Sequence, residues 1–304
     1  MTQEQSYTIE EVAQLLKVSK LTIYDLVKKG DLPVFRVGRQ MRVDRADLQS
    51  YIQKRKTGTT PPAVASPSQN KQKIIISGQD FVLDLLAKYI EKRQSMKVLR
   101  SHEGSLNGVM AMYNGDCDIA SLHMYDGDSN DYNIPYLKKI FVSHAFIVIN
   151  VITRKAGFYV QKGNPLHIHS FEDFKTKSFR LINREKGSGT RTLLDEQLRI
   201  QQIAPSTIKG YDNEGMSHID VASTVANGHA DIGIGIEKIA KLMNVDFIPI
   251  IQERYDIVLF KTAENELLIR MIKEILTAAD FQAEVAALGD YDITQMGQVI
   301  YETL

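Results

Sequence analysis

A small winged helix-turn-helix domain joined to a larger bilobed α/β domain is the fold class this sequence predicts. Three observations carry it: a basic opening segment of capped helices and short strands, a proline-bearing spacer, and a remainder in which strands and helices alternate. At 304 residues the chain is long enough for more than one core. Lysine plus arginine and aspartate plus glutamate both number 37, so net charge points to no partner. Distribution says more, because residues 1–56 hold eleven basic side chains against seven acidic ones.

In the opening segment, Thr8 with Glu11 three residues on makes a capping box, and Val12, Ala13, Leu15 and Leu16 give the helix behind it an apolar face. Ser19 caps a second helix carrying Leu21, Ile23, Leu26 and Val27, and Gly30 stops it. "LPVFRVGRQMRVD" reads as two short strands about Gly38, and "RADLQSYIQKRK" as a third helix behind Asp44. In such a unit the second helix enters the major groove of DNA. Lys20, Thr22 and Tyr24 are then placed towards base edges and Lys28 towards phosphate, while Arg36, Arg39 and Arg42 lie on the wing, with Arg39 at its tip. "TGTTPPAVASPSQNKQ", residues 57–72, is too poor in apolar side chains to order itself and reads as a tether.

From residue 73 the strand and helix signals alternate: "KIIIS", a helix over Phe81–Arg93, "MKVLRS", a helix over Leu106–Tyr113, and "CDIASLH". A second series follows with "SFRLINR", a helix from Thr190, "IKGYD", a helix from Asp220, "ADIGIGI" and "FIPII". This is the rhythm of parallel sheets covered on both faces, one per lobe. The turn "EKGSGT" is the sharpest chemical signal, since it opens a helix whose first amides have no intrahelical partner and attract anions. Gly187 and Gly189 let the backbone come close, Ser188 and Thr190 add hydroxyls, and Arg184 and Arg191 add charge. Equivalent turns carry Ser77, Gly78 and Asp80 in "SGQD", Gly104 and Ser105 in "HEGS", and His218 in "GMSHID". Ligands of open α/β sheets sit beyond the carboxyl ends of the strands, where these turns can converge.

Residues 7–52 as a whole, from "YTIEEV" through the "GDLP" turn to "DLQSYI", resemble the excisionase-type branch of the MerR-like winged helices. That resemblance implies DNA binding, either in transcription regulation or in recombination. "GSLNGVMAMYNGDCDIASLHMYD", the pair Tyr132 and Asn133, "GNP" at Gly163–Pro165, "NREKGSGTRTLLDEQL", "GYDNEGMSHIDVASTVANGHADIGIGI" and "FIPIIQERYDIVLF" resemble a family of regulators. In it an excisionase-type head is fused to a type II periplasmic-binding-protein-like domain related to molybdate and tungstate receptors. The resemblance implies ligand contacts from Ser77, Ser105, His123, the turn Ser188–Arg191, His218 and Tyr255. It also implies a head over residues 1–56, a linker over 57–72 and a sensing domain over 73–304. Lobe 1 would take about 73–152 and 257–304, lobe 2 about 153–256, with hinges near 150–160 and 252–258. Gln79 departs from the family, whose members commonly have histidine there.

A fully ionised tetrahedral dianion offers only acceptors, so Asp80, Glu103 and Glu253 need cationic partners, for which Arg184, Arg191 and Arg254 are the candidates. His167 and His169 have no third ligand nearby, and "YDGDSNDYN" lacks the spacing of a calcium loop, so no metal is expected. No set of nucleophile, base and orienting group assembles, so no catalytic residue or cofactor is expected. Cys117 is the single cysteine and excludes an internal disulfide. The start "MTQEQSYTIEEV" is no leader and no stretch spans a bilayer, which implies a cytoplasmic protein without a membrane partner. The expectation is a homodimeric regulator that binds double-stranded DNA and senses a small anion, molybdate or tungstate. A recombination accessory protein and an enzyme acting on a small anionic compound are the competing readings.

Overall fold

Local capping signals build the head. The computed structural model describes residues 6–38, 40–54, 73–93 and 96–303, and the chain divides into two units, Met1–Pro67 and Ser68–Leu304. Arg39 and the spacer 57–72 lie outside the described residues. β1 (Ser6–Thr8) leads into α1 (Ile9–Leu16). There the Thr8 hydroxyl accepts the amide of Glu11, and the Glu11 carboxylate accepts the amide of Thr8 at 2.7 Å. α2 (Lys20–Lys28) starts at Ser19, whose hydroxyl accepts the amide of Thr22. It ends at Gly30, left-handed with φ +76°, where the amides of Gly30 and Asp31 return to the carbonyls of Val27 and Leu26.

The two strands expected about Gly38 are β2 (Phe35–Val37) and β3 (Gln40–Asp44), followed by α3 (Arg45–Lys54). β1 completes an antiparallel sheet in the order β1-β3-β2. A three-residue strand is too short to leave a period in the sequence, which is why β1 was not foreseen. Ile9, Val12, Ile23, Leu32, Val43 and Leu48 form the buried core of the head.

The second unit opens with the expected alternation: β4 (Lys73–Ser77), α4 (Phe81–Arg93), β5 (Lys97–Ser101), α5 (Ser105–Asn114) and β6 (Ile119–Leu122). A short hairpin, β7 (Tyr125–Asp126) and β8 (Asp131–Tyr132), and α6 (Ile134–Ile140) lead to β9 (Phe146–Val160). Then come β10 (Leu181–Arg184), α7 (Gly189–Ile200), β11 (Glu214–Gly215), α8 (His218–Ala226), β12 (Ile232–Ile236) and α9 (Glu237–Leu242). β13 (Asp246–Phe260), α10 (Glu266–Thr277), α11 (Ala279–Ala287) and β14 (Val299–Glu302) finish the chain. "IKGYD" forms a turn, and β11 begins two residues beyond it. The Leu181 amide donates to the Lys209 carbonyl at 2.8 Å, but Gly210 then takes φ +86°, where a Cβ would lie 2.3 Å from the Leu181 oxygen, so the segment bends after one bond instead of extending the ladder.

The sheet runs β11-β10-β12-β9-β13-β6-β4-β5, with β14 added to β9. Its flanks are parallel, as expected, but its middle is not. β9 and β13 pair antiparallel from Phe146↔Phe260 to Val160↔Asp246 and so run through both lobes, with register shifts at Pro249/Ile251 and Tyr255/Asp256. One lobe gathers β4, β5 and β6 under α4, α10 and α11 around Ile76, Leu83, Leu86, Ile257 and Ile272. The other gathers β10 and β12 around Phe158, Phe174, Leu181 and Leu194.

Candidate functional site

Four helix beginnings meet a cavity of about 540 Å³ between the lobes of the second unit. From one lobe the turn after β4 supplies Gly78, Gln79, Asp80 and Phe81, and the turn after β5 supplies His102, Glu103, Gly104 and Ser105. From the other lobe the turn after β10 supplies Arg184, Glu185, Ser188 and Gly189, and the start of α8 supplies Met216, Ser217, His218 and Ile219. Of the expected ligand residues, Gly78, Asp80, Gly104, Ser105, His123, Arg184, Ser188, Gly189, His218 and Tyr255 thus line one cavity.

Ser77, Gly187, Thr190 and Arg191 stand behind that lining. Ser77 is buried with its Oγ unpartnered. Arg191 turns away from the cavity to Asp195 (3.3 Å), Glu214 (3.2 Å) and the carbonyl of Arg184 (3.1 Å), over the ring of Tyr211.

The lobes touch at the cavity wall. The Leu106 amide donates to the Gly187 carbonyl at 2.9 Å. A Cβ on Gly104 would lie 2.8 Å from the Gly187 oxygen, and one on Gly189 would lie 2.7 Å from the His123 ring, so both close approaches require glycine. Gln79 adds a clasp: its Nε2 donates to the His102 carbonyl (3.0 Å) and to Glu185 (3.3 Å), and its Oε1 accepts from Arg184 (2.7 Å). Further out, Gly127 donates to Glu196 and Arg199 to Asp128, each at 2.8 Å. The N-terminal turns of α5 and α7 therefore face one another, and their unpaired amides and dipole ends favour negative charge between them.

The floor is a buried ionic cluster that sequence reasoning missed. Arg154, in the middle of β9, is 4% exposed and bonds Asp80 and Glu253, the latter at 2.6 and 2.7 Å. Asp80 also accepts the Tyr291 hydroxyl and the Val82 amide, and His123 Nδ1 lies 2.9 Å from Glu253. Asp80 and Glu253 were expected to find Arg184, Arg191 or Arg254; their partner is Arg154, and Arg184 is taken by its neighbour Glu185 in a two-bond pair at 2.7 Å. A single arginine among the apolar residues of β9 gives no sequence signal, because both partners are remote in the chain.

Burial opposes the charge of Glu253, but Arg154 and then His123 bring its carboxyl down to about 2. Burial, helped by Arg184, Arg154 and His123, holds His218 well below the usual imidazole range, and its Nδ1 is buried without a partner. Burial, then Asp80, pushes the Tyr255 hydroxyl up to about 12, and that hydroxyl shares a 2.6 Å hydrogen bond with Ser121.

Both depressed groups have one consequence for acid stability. The unfolded chain takes up protons that the folded chain refuses, so stability is full above the ordinary imidazole value near 6.5 and falls as pH drops through it. A second loss follows below the ordinary carboxyl value, as Glu253 is protonated only towards about 2. Melting temperature followed from pH 8 to 4 should show the first loss, and His218→Gln should flatten it between pH 6.5 and 5.

On the head, Lys20, Thr22, Tyr24 and Lys28 are each exposed on α2 while Ile23 faces the core. Lys20 pairs with Glu10 at 2.7 Å, and Thr22 Oγ1 lies 2.9 Å from Ser19 Oγ. Arg36 is exposed on β2, whereas Arg42 is tied to Ser6 by its Nε at 3.0 Å.

Comparison with known proteins agrees with this architecture. The profile of the PBP superfamily domain matches residues 87–277, and that of a helix-turn-helix domain matches residues 6–56. The chain is 48% identical to the uncharacterized protein YvgK of Bacillus subtilis over the whole of both chains. Among solved structures, its fold is similar to that of the tungstate ABC transporter protein of Geobacter sulfurreducens, with TM-score 0.54 and 15% identity over 71% of this chain and 98% of that one. An ABC transporter substrate-binding protein with bound phosphate from Clostridium perfringens gives TM-score 0.53 and 14% identity over 72% of this chain and 98% of that one.

Proposed function

The chain belongs to the PBP superfamily, and from that premise we propose that it is a ligand-responsive DNA-binding regulator of transcription that senses a small anion in its cleft. One observation carries the reading: the first turns of α5 and α7 come from opposite lobes and meet at a single cavity. An anion held there is bound by both lobes at once, so its binding energy is also closing energy. The hinge lies where β9 and β13 pass between the lobes, around the register shift at Tyr255/Asp256. Two cytoplasmic copies, each presenting one head, would read paired half-sites, and closure would alter their spacing.

Molybdate and tungstate are the simplest ligands of this kind. Both are acceptors only, and Asp80, Glu185 and Glu253 are each occupied by a guanidinium, whereas Glu103, expected to need a cationic partner, is exposed beside the N-cap of α5 without an ion pair among the described residues. Gly104, Ser105, Ser188 and Gly189 would supply the donors around the oxyanion, with His123, His218 and Tyr255 as the polar surround. Calorimetric titration of the full chain with molybdate, tungstate, sulfate and phosphate tests this; heat with the first two is expected, and none with any of the four removes the oxyanion assignment. For the head, Arg36→Ala should weaken binding to duplexes of any sequence and lower the slope of log affinity against log salt by about one. Gel-shift titrations at several salt concentrations measure it, and an unchanged slope removes Arg36 from the interface.

A further inference from the structure

The cavity has two chemically different ends, and only one of them is accounted for by an anion. Where α5 and α7 meet, the lining is polar: backbone, hydroxyl and imidazole, with Glu103, Asn107, Arg184 and Glu185 beside them. The same cavity also has apolar lining: Met216 and Ile219, flanking Ser217 and His218 at the start of α8, and Ile236 and Ile239 at the start of α9, which packs on α8. Phe81 adds an aromatic edge from the opposite lobe.

Three of these are large apolar side chains left open: Phe81 is 44% exposed, Ile219 42% and Met216 66%. Apolar surface at the rim of a polar site marks a place where apolar ligand surface is received. A bare oxyanion makes no use of it. The volume agrees, since about 540 Å³ falls within the roughly 300–1,000 Å³ typical of sites for organic ligands.

We infer that the natural ligand is an organic acid, its anionic head between the beginnings of α5 and α7 and its apolar body against the α8–α9 wall. This rests on the sensor reading above and deepens it: the oxyanion seat between α5 and α7 is kept, and a carboxylate takes it in place of molybdate or tungstate. Charge recognition and size recognition are then separate: the helix ends fix the head, and Met216 and Ile219 measure the body.

Straight-chain carboxylates from acetate to hexanoate, titrated into the full chain by calorimetry beside molybdate and tungstate, test it. Affinity should rise roughly three- to fourfold per added methylene, the ratio expected for burying one CH₂. In the double variant Met216→Ser with Ile219→Ser that increment should shrink towards none. Both positions are open enough that the fold does not depend on them, and far-UV circular dichroism of the variant checks this. An affinity that stays flat with chain length, or no carboxylate binding at all, overturns the inference. Molybdate or tungstate binding more tightly than every carboxylate, and equally in the variant, overturns it too, while leaving the sensor reading in place. Silence from inorganic and organic anions alike removes both.

Discussion

Replacing Arg154 by methionine lowers the unfolding free energy of the second unit by roughly 3–5 kcal/mol, the usual cost of removing one partner from a buried ion cluster. The guanidinium is fully enclosed, and although burial opposes its charge, Glu253 and Asp80 raise its pKa. Without it, two carboxylates at 1% and 5% exposure keep only the uncharged Tyr291 hydroxyl, the Val82 amide and the His123 ring as partners. Burying unpaired charge costs more than the pair ever returned. The chain has no tryptophan, so urea unfolding followed by circular dichroism is the suitable measurement. Adding Asp80→Asn and Glu253→Gln to Arg154→Met should recover most of the loss, because the stranded charges go with their partner. A single-variant loss below about 1 kcal/mol would mean that water reaches the cluster and screens it.

Gly104→Ala should cut anion affinity at least tenfold and leave the cores of both lobes intact. Gly104 sits at φ −69° and ψ 166°, where alanine is unstrained, so the substitution tests space alone. The new methyl would lie 2.8 Å from the Gly187 oxygen and 2.9 Å from the Cα and N of Ser188. All three are backbone atoms at the mouth of α7, so no rotamer can relieve the clash, and the lobes must part. A tenfold loss corresponds to about 1.4 kcal/mol, a modest charge for a wedge against main chain. Calorimetry measures the affinity, and small-angle scattering should show a wider second unit. Affinity within twofold of the parent would show that the ligand is held by one lobe only.

What could be read from the sequence was whatever depended on near neighbours. The caps at Thr8 and Ser19, the stop at Gly30 and the glycine turn before α7 are all settled within about five residues, and each has the expected form. Convergence of the turns was legible too, because alternation of strand and helix leaves their carboxyl ends on one edge. Arg154 was not legible, since its importance arises only when β9 crosses from one lobe to the other beside β13. The same holds for Tyr291, which reaches Asp80 from beyond α11. "IKGYD" misled because isoleucine and tyrosine carry strand propensity, while the deciding fact, the approach of Gly210 to Leu181, is tertiary.

The ribbon of β9 and β13 also sets the order in which this molecule can be made. Phe146 must wait for Phe260 and Val160 for Asp246, so on the ribosome the earlier ribbon half emerges with both edges unmatched. It is rich in isoleucine and valine, and such a stretch is prone to stick to its like until its mate arrives. The two lobes therefore mature together and late, and the nascent chain depends most on chaperones between the synthesis of β9 and that of β13.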